Sequence, residues 1–66
     1  MEKVVGQKIR ERRKTLKMNQ ETLAKKSKVS RVTISALENG KYDNVLVGTL
    51  TAIADALECN IEFFLT

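Results

Sequence analysis

Leu50, Ile53, Ala54 and Leu57 recur at i, i+3, i+4 and i+7, the spacing of a helix with one buried face, and predict a helix that ends near Glu58. Toward the amino terminus, Val5, Ile9 and Leu16 predict a helix over about Lys3 to Lys17. Gly6 weakens its start only modestly. Arg12 and Arg13 fill the angular gap between Ile9 and Leu16, so at least one of them is expected to face the protein. Asn19 is a good N-cap, Gln20, Glu21 and Thr22 form a polar first turn, and Leu23, Ala24 and Ser27 share a face, which gives a helix from Gln20 to Lys26. Ser27, Lys28 and Val29 break the period, with Val29 as an apolar plug. Ser30 caps the next helix, Arg31 to Asn39, and Gly40 stands where a left-handed residue ends it. Asn60 caps a short final helix, Ile61 to Leu65. The expectation is an all-α, compact five-helix domain spanning residues 1–66, with a helix-turn-helix between residues 18 and 40.

On a 3.6-residue wheel the third helix turns Ile34 and Leu37 inward with Ser30 and Glu38 beside them. Val32, Ser35, Ala36 and Asn39 face the other way, and Arg31 sits at the flank. A solvated face would carry Lys or Glu, whereas this one is small and semi-apolar and suits close approach to a groove. In a major groove Val32 and Ala36 can touch thymine methyls, Ser35 can bond a base edge or phosphate, and Arg31 can reach guanine O6 and N7. The competing reading is that isolated exposed apolar residues are normal and carry no function.

Sixty-six residues, 42% hydrophobic and 5% aromatic with no Pro, suffice for one helical core. The net charge of +4 conceals an asymmetry. All 12 Lys and Arg lie within positions 1–41 against Glu2, Glu11, Glu21 and Glu38, a balance of +8, while Asp43, Asp55, Glu58 and Glu62 leave positions 42–66 at −4. Basic charge that coincides with a helix-turn-helix is the footprint of a phosphate-binding surface. Cys59 is alone and cannot form an internal disulfide, no run reaches the length of a membrane span, and Met1 precedes charged residues, so a cytoplasmic protein is expected. The chain has no His, no Gly-rich phosphate loop and no nucleophile-base pair. It therefore reads as no enzyme, with no metal, cofactor or small-molecule effector.

Taken together, Ile9, Arg10, Glu11, Arg13, Gln20, Leu23, Ala24, Val29, Ser30, Ile34, Leu37 and the Glu38, Asn39, Gly40 stretch resemble the Xre/Cro family of lambda-repressor-like DNA-binding domains. Leu50, Ile53, Ala54, Leu57, Ile61 and Phe64 continue the match. The resemblance implies that Gln20 bonds a phosphate and supports the recognition helix, that Asn39, Lys41 and Tyr42 touch the DNA backbone, and that Arg13 pairs with Glu38. The DNA-binding set is then Gln20, Ser30, Arg31, Val32, Thr33, Ser35, Ala36, Asn39, Lys41 and Tyr42. For Tyr42, packing on the loop is the alternative.

Two departures from the family stand out. The turn places Lys28 where Gly is common, which demands a positive φ of a side chain. Val45, Leu46 and Val47 replace the polar entry to the fourth helix and need a cover. With Phe63 and Leu65 they suggest the interface of a homodimer, which would place two recognition helices on a palindromic operator. A repressor of transcription on double-stranded DNA is the leading reading. An antitoxin that neutralises a partner protein through the apolar carboxy-terminal surface, and also regulates its own promoter, is the alternative.

Overall fold

The computed structural model describes residues 2–41 and 46–65, and all regular structure among them is helical. Helices α1 (Glu2–Thr15), α2 (Gln20–Ser27), α3 (Arg31–Glu38), α4 (Val47–Ala56) and α5 (Glu62–Leu65) follow in chain order. Helix α1 packs on α3 and α5, and α2 packs on α3 and α4. Ile9, Leu23, Ile34, Leu37, Ile53, Leu57 and Phe64 are fully enclosed where these faces meet. Leu16, Ala24, Val29, Cys59 and Ile61 pack around that centre partly buried.

Side-chain chemistry sets the helix boundaries as the caps predict. Asn19 Oδ1 accepts the Thr22 N–H at 2.7 Å, and Ser30 Oγ accepts the Thr33 N–H at 3.1 Å. Ser30 itself is exposed, a correction to its expected place beside the inward face, because a capping residue precedes the first helical turn. Helix α1 begins at Glu2 and α2 runs on through Ser27, each one residue beyond the expected limit, while the other differing ends fall slightly inside it: α1 stops at Thr15, α3 at Glu38 and α4 at Ala56, and α5 begins at Glu62. Left-handed residues account for most of this. Lys17, Lys28 and Glu58 have φ of 55°, 61° and 57°, and Gly40 has φ of 69°. After α1, α3 and α4 the paired bonds Met18 N–H to Arg13 O, Lys41 N–H to Ala36 O and Cys59 N–H to Ala54 O reach back five residues and take up orphan carbonyls. The sequence signalled this for Gly40 and raised it for Lys28, and gave no sign of it for Lys17 or Glu58.

The turn between α2 and α3 closes differently. Ser27 is buried, and its hydroxyl donates to Leu23 O at 2.7 Å while accepting the Val29 N–H at 3.2 Å. A small hydroxyl residue can satisfy both groups without displacing the core. Lys28, in the position where Gly is common, takes up the left-handed φ of 61° that the turn was expected to demand.

Gly6 corrects the view that it merely weakens α1. A Cβ built on it would overlap the Leu37 carbonyl and lie 3.1 Å from Glu38 Cα, so its bareness lets α1 cross the end of α3 in close contact. Arg12 and Arg13 both turn toward the protein. Arg12 Nε donates to Leu57 O at 3.0 Å and its Nη2 to Glu58 O at 3.3 Å, which ties α1 to the carboxy-terminal end of α4. Cys59 lies next to this tie. Burial pushes its thiol pKa up, partly offset by the Arg12 charge, so the group is a poor nucleophile at neutral pH.

Candidate nucleic-acid interface

The interface is organised around a carboxylate that no solvent reaches. Glu38 ends α3 with its side chain 0% exposed, and Arg13 grips it with both edges of its fork, Nε to Oε2 at 2.9 Å and Nη2 to Oε1 at 3.0 Å. Gln20 Nε2 donates to the same Oε1 at 3.2 Å, and Arg10 Nε does so at 3.3 Å. Arg13 Nη1 also donates to Met18 O at 2.8 Å. The cluster therefore joins α1, the first residue of α2 and the last of α3. Burial alone would raise the Glu38 carboxyl, but the hydrogen bonds from Arg13 and Gln20, the Arg13 charge and the bond from Arg10 outweigh it and hold the pKa below the ordinary 4.5. Every buried side-chain N and O among the described residues has a hydrogen-bond partner.

This anchor sets the attitude of α3. Ile34, Leu37 and Glu38 face inward, while Val32 is 80% exposed and Arg31 and Asn39 are open to solvent. Gln20, Arg31, Val32, Ser35, Ala36, Asn39 and Lys41 line one shallow depression, so seven of the ten residues singled out in the sequence for DNA contact share a surface. Asn39 Nδ2 donates to Ser35 Oγ at 3.4 Å across it. A second hollow, lined by Arg13, Asn19, Gln20, Glu21 and Arg31, continues along the start of α2. Ser30 and Thr33 stand apart from the depression. Ser30 Oγ donates to Thr33 Oγ1 at 2.9 Å while capping α3, so both hydroxyls are engaged in the helix start. Tyr42 lies outside the described residues.

Of the expected dimer residues, Leu46 is 69%, Val47 72% and Phe63 42% exposed. Val45 and the Leu65 side chain lie outside the described set. Phe63 packs edge-on to the buried Phe64 with centroids 5.7 Å apart, and Lys8 Nζ stands 5.8 Å above its ring.

A family model described as helix-turn-helix matches residues 9–64, from the core of α1 into α5. The chain belongs to this Xre/Cro-like helix-turn-helix family. Among solved structures it is similar to the restriction-modification controller protein C.AhdI from Aeromonas hydrophila. The two are 30% identical, with a TM-score of 0.89 over 96% of this chain and 94% of that one. No curated protein matches significantly. As a member of the helix-turn-helix family, with five helices among the described residues and a fold that matches its structural neighbour, the protein is a DNA-binding transcriptional regulator. No helix among the described residues is long and apolar enough to cross a membrane.

Sequence reasoning paired Arg13 with Glu38 but missed that Arg10 and Gln20 share the same oxygen. The i, i+3 spacing of Arg10 and Arg13 was the available signal, since it stacks both on one side of α1. The Arg12 contact to α4 had no local signal, because its partners are backbone carbonyls more than forty residues away.

Proposed function

We propose that the protein is a sequence-specific repressor that binds a palindromic operator as a homodimer, in the setting of restriction-modification control that its likeness to C.AhdI suggests. The depression that gathers Arg31, Val32, Ser35 and Ala36 between Gln20 and Lys41 carries this reading. Arg31 reads guanine, Val32 and Ala36 meet thymine methyls, and Ser35, with Thr33 at the margin, bonds base edges. Gln20, Asn39, Lys41 and helix α1 hold phosphates and set the register, and Ser30 and Tyr42 complete the proposed DNA-binding set. The small side chains at the centre of α3 let the helix backbone come close to the base edges. The basic flank draws the duplex in.

One recognition helix of two turns reads few base pairs, so discrimination calls for a second copy. The exposure of Leu46, Val47 and Phe63, all within the acidic carboxy-terminal portion of the sequence, supports an apolar contact between copies. Sedimentation velocity at tens of micromolar is expected to show a dimer. A monomer both free and on its operator would overturn the dimeric reading.

The decisive experiment is a selection from random duplex DNA followed by a salt titration. A two-fold symmetric motif with half-sites about one helical turn apart is expected, with affinity falling steeply as salt rises. A selection that returns no motif, together with a stoichiometric partner protein on pull-down, would replace this reading with the antitoxin alternative. Placing the selected site across a promoter then tests the sign of regulation, and increased transcription would count against a repressor.

A further inference from the structure

We propose that Arg10 is a DNA-phosphate ligand, held in place with Gln20 by the single oxygen Glu38 Oε1. The inference rests on the operator-binding reading above and assigns one backbone contact within it to a particular side chain of α1.

Arg13 already neutralises Glu38 through two short bonds, 2.9 and 3.0 Å, so Arg10 brings a second positive charge to a carboxylate that one cation satisfies. The cluster of Arg10, Arg13 and Glu38 therefore carries a net positive charge at a fixed position. Arg10 is also unlike Arg13 in exposure, since its side chain is 46% open to solvent and only Nε is engaged, at 3.3 Å. Its two terminal nitrogens make no hydrogen bond among the described residues, which leaves the part of the guanidinium best suited to a phosphate available.

Geometry adds a direction. Arg10 Nε and Gln20 Nε2 lie within 3.3 and 3.2 Å of one oxygen, so both side chains converge beside the first turn of α2. Gln20 also lines the depression under Arg31 and Lys41, which places the pair at the edge of the proposed duplex-binding surface. An anion there gains the amino-terminal field of the eight-residue α2 as well as two donors. A guanidinium already tethered at Nε loses less freedom on binding than a free lysine on the surface.

The test compares Arg10→Ala, Arg10→Lys and Lys8→Ala with the unaltered chain, each titrated with salt on the selected duplex and on an unrelated duplex of equal length. Lys8 is the control because it lies on the same helix and carries the same charge but stands over Phe63. With two copies of the chain on the operator, loss of one phosphate contact from each is expected to lower the slope of log affinity against log salt by about 1.8 for Arg10→Ala, about 0.9 per chain, equally on both duplexes, with Arg10→Lys restoring part of it. A purely structural Arg10 would change the melting temperature and leave the slope alone. Arg10→Gln, which keeps a long polar side chain, serves if Arg10→Ala fails to fold. A slope no different from that of Lys8→Ala would overturn the assignment while leaving operator binding intact. An unaltered chain that binds neither duplex in a salt-dependent way would remove the operator reading and the Arg10 contact together.

Discussion

Truncating Glu38 to Ala removes the carboxylate that α1, α2 and α3 share at their junction. That carboxylate is inaccessible to solvent, and the Arg13 side chain is only 12% exposed, so this pair sits at the buried end of the range for ion pairs. In Glu38→Ala the Arg13 guanidinium keeps its bond to Met18 O through Nη1 but loses partners at Nε and Nη2. Leaving a largely buried cation without its carboxylate costs roughly 3 to 5 kcal/mol, whereas an exposed pair is worth about 1 kcal/mol or less. For a domain of this size each kcal/mol moves the melting temperature by about 4 to 8 °C, so a fall of roughly 12 to 40 °C is expected. Thermal unfolding followed by circular dichroism at neutral pH reads it directly. A loss below about 1 kcal/mol would refute the claim that the pair is a buried structural anchor. Combining the change with Arg13→Met should recover part of the loss, because the orphaned charge then disappears as well.

Acid gives an independent view of the same group. The folded Glu38 pKa is lowered, so its stabilisation is fully present above the unfolded value of 4.5 and drains away as pH falls through the folded one, a trend that Glu38→Gln should flatten in urea titrations. Gly6→Ala should destabilise the fold by about 1 to 3 kcal/mol despite the better helix propensity of Ala, since the new methyl meets the Leu37 carbonyl; a higher urea midpoint would contradict the close approach of α1 and α3. Lys28→Gly is expected to stabilise by up to about 1 kcal/mol by relieving a φ of 61°, and a lowered melting temperature would show that the turn is unstrained. On DNA, Arg31→Ala should cost about 1 to 3 kcal/mol and relax one base position, while Lys41→Ala should weaken all duplexes alike. Identical behaviour of the two variants on selected and scrambled sites would refute that division of roles.

Much of the fold was legible because its signals are local. The apolar period of α4, the caps at Asn19 and Ser30 and the left-handed stop at Gly40 each depend on residues within a turn or two of one another. The small outward face of α3 comes from the same period once Ile34 and Leu37 are taken as buried. The terminations at Lys17 and Glu58 were not legible, since a left-handed non-glycine residue is imposed by the path the chain takes beyond the helix and not by its own preference.

Taken alone, the sequence determined five helices, a helix-turn-helix and a basic half placed around it. Periodicity, capping and charge count are properties of short stretches of chain, and no neighbour has to be known to read them. Tertiary structure decided how those helices become one surface. Gly6 matters because α3 passes beneath it, Arg12 because the carbonyls of Leu57 and Glu58 arrive beside it, and Arg10 and Gln20 because both reach an oxygen on Glu38. Each of those contacts joins residues eighteen or more positions apart. Their value lies in burial and mutual orientation, which exist only once the chain has folded.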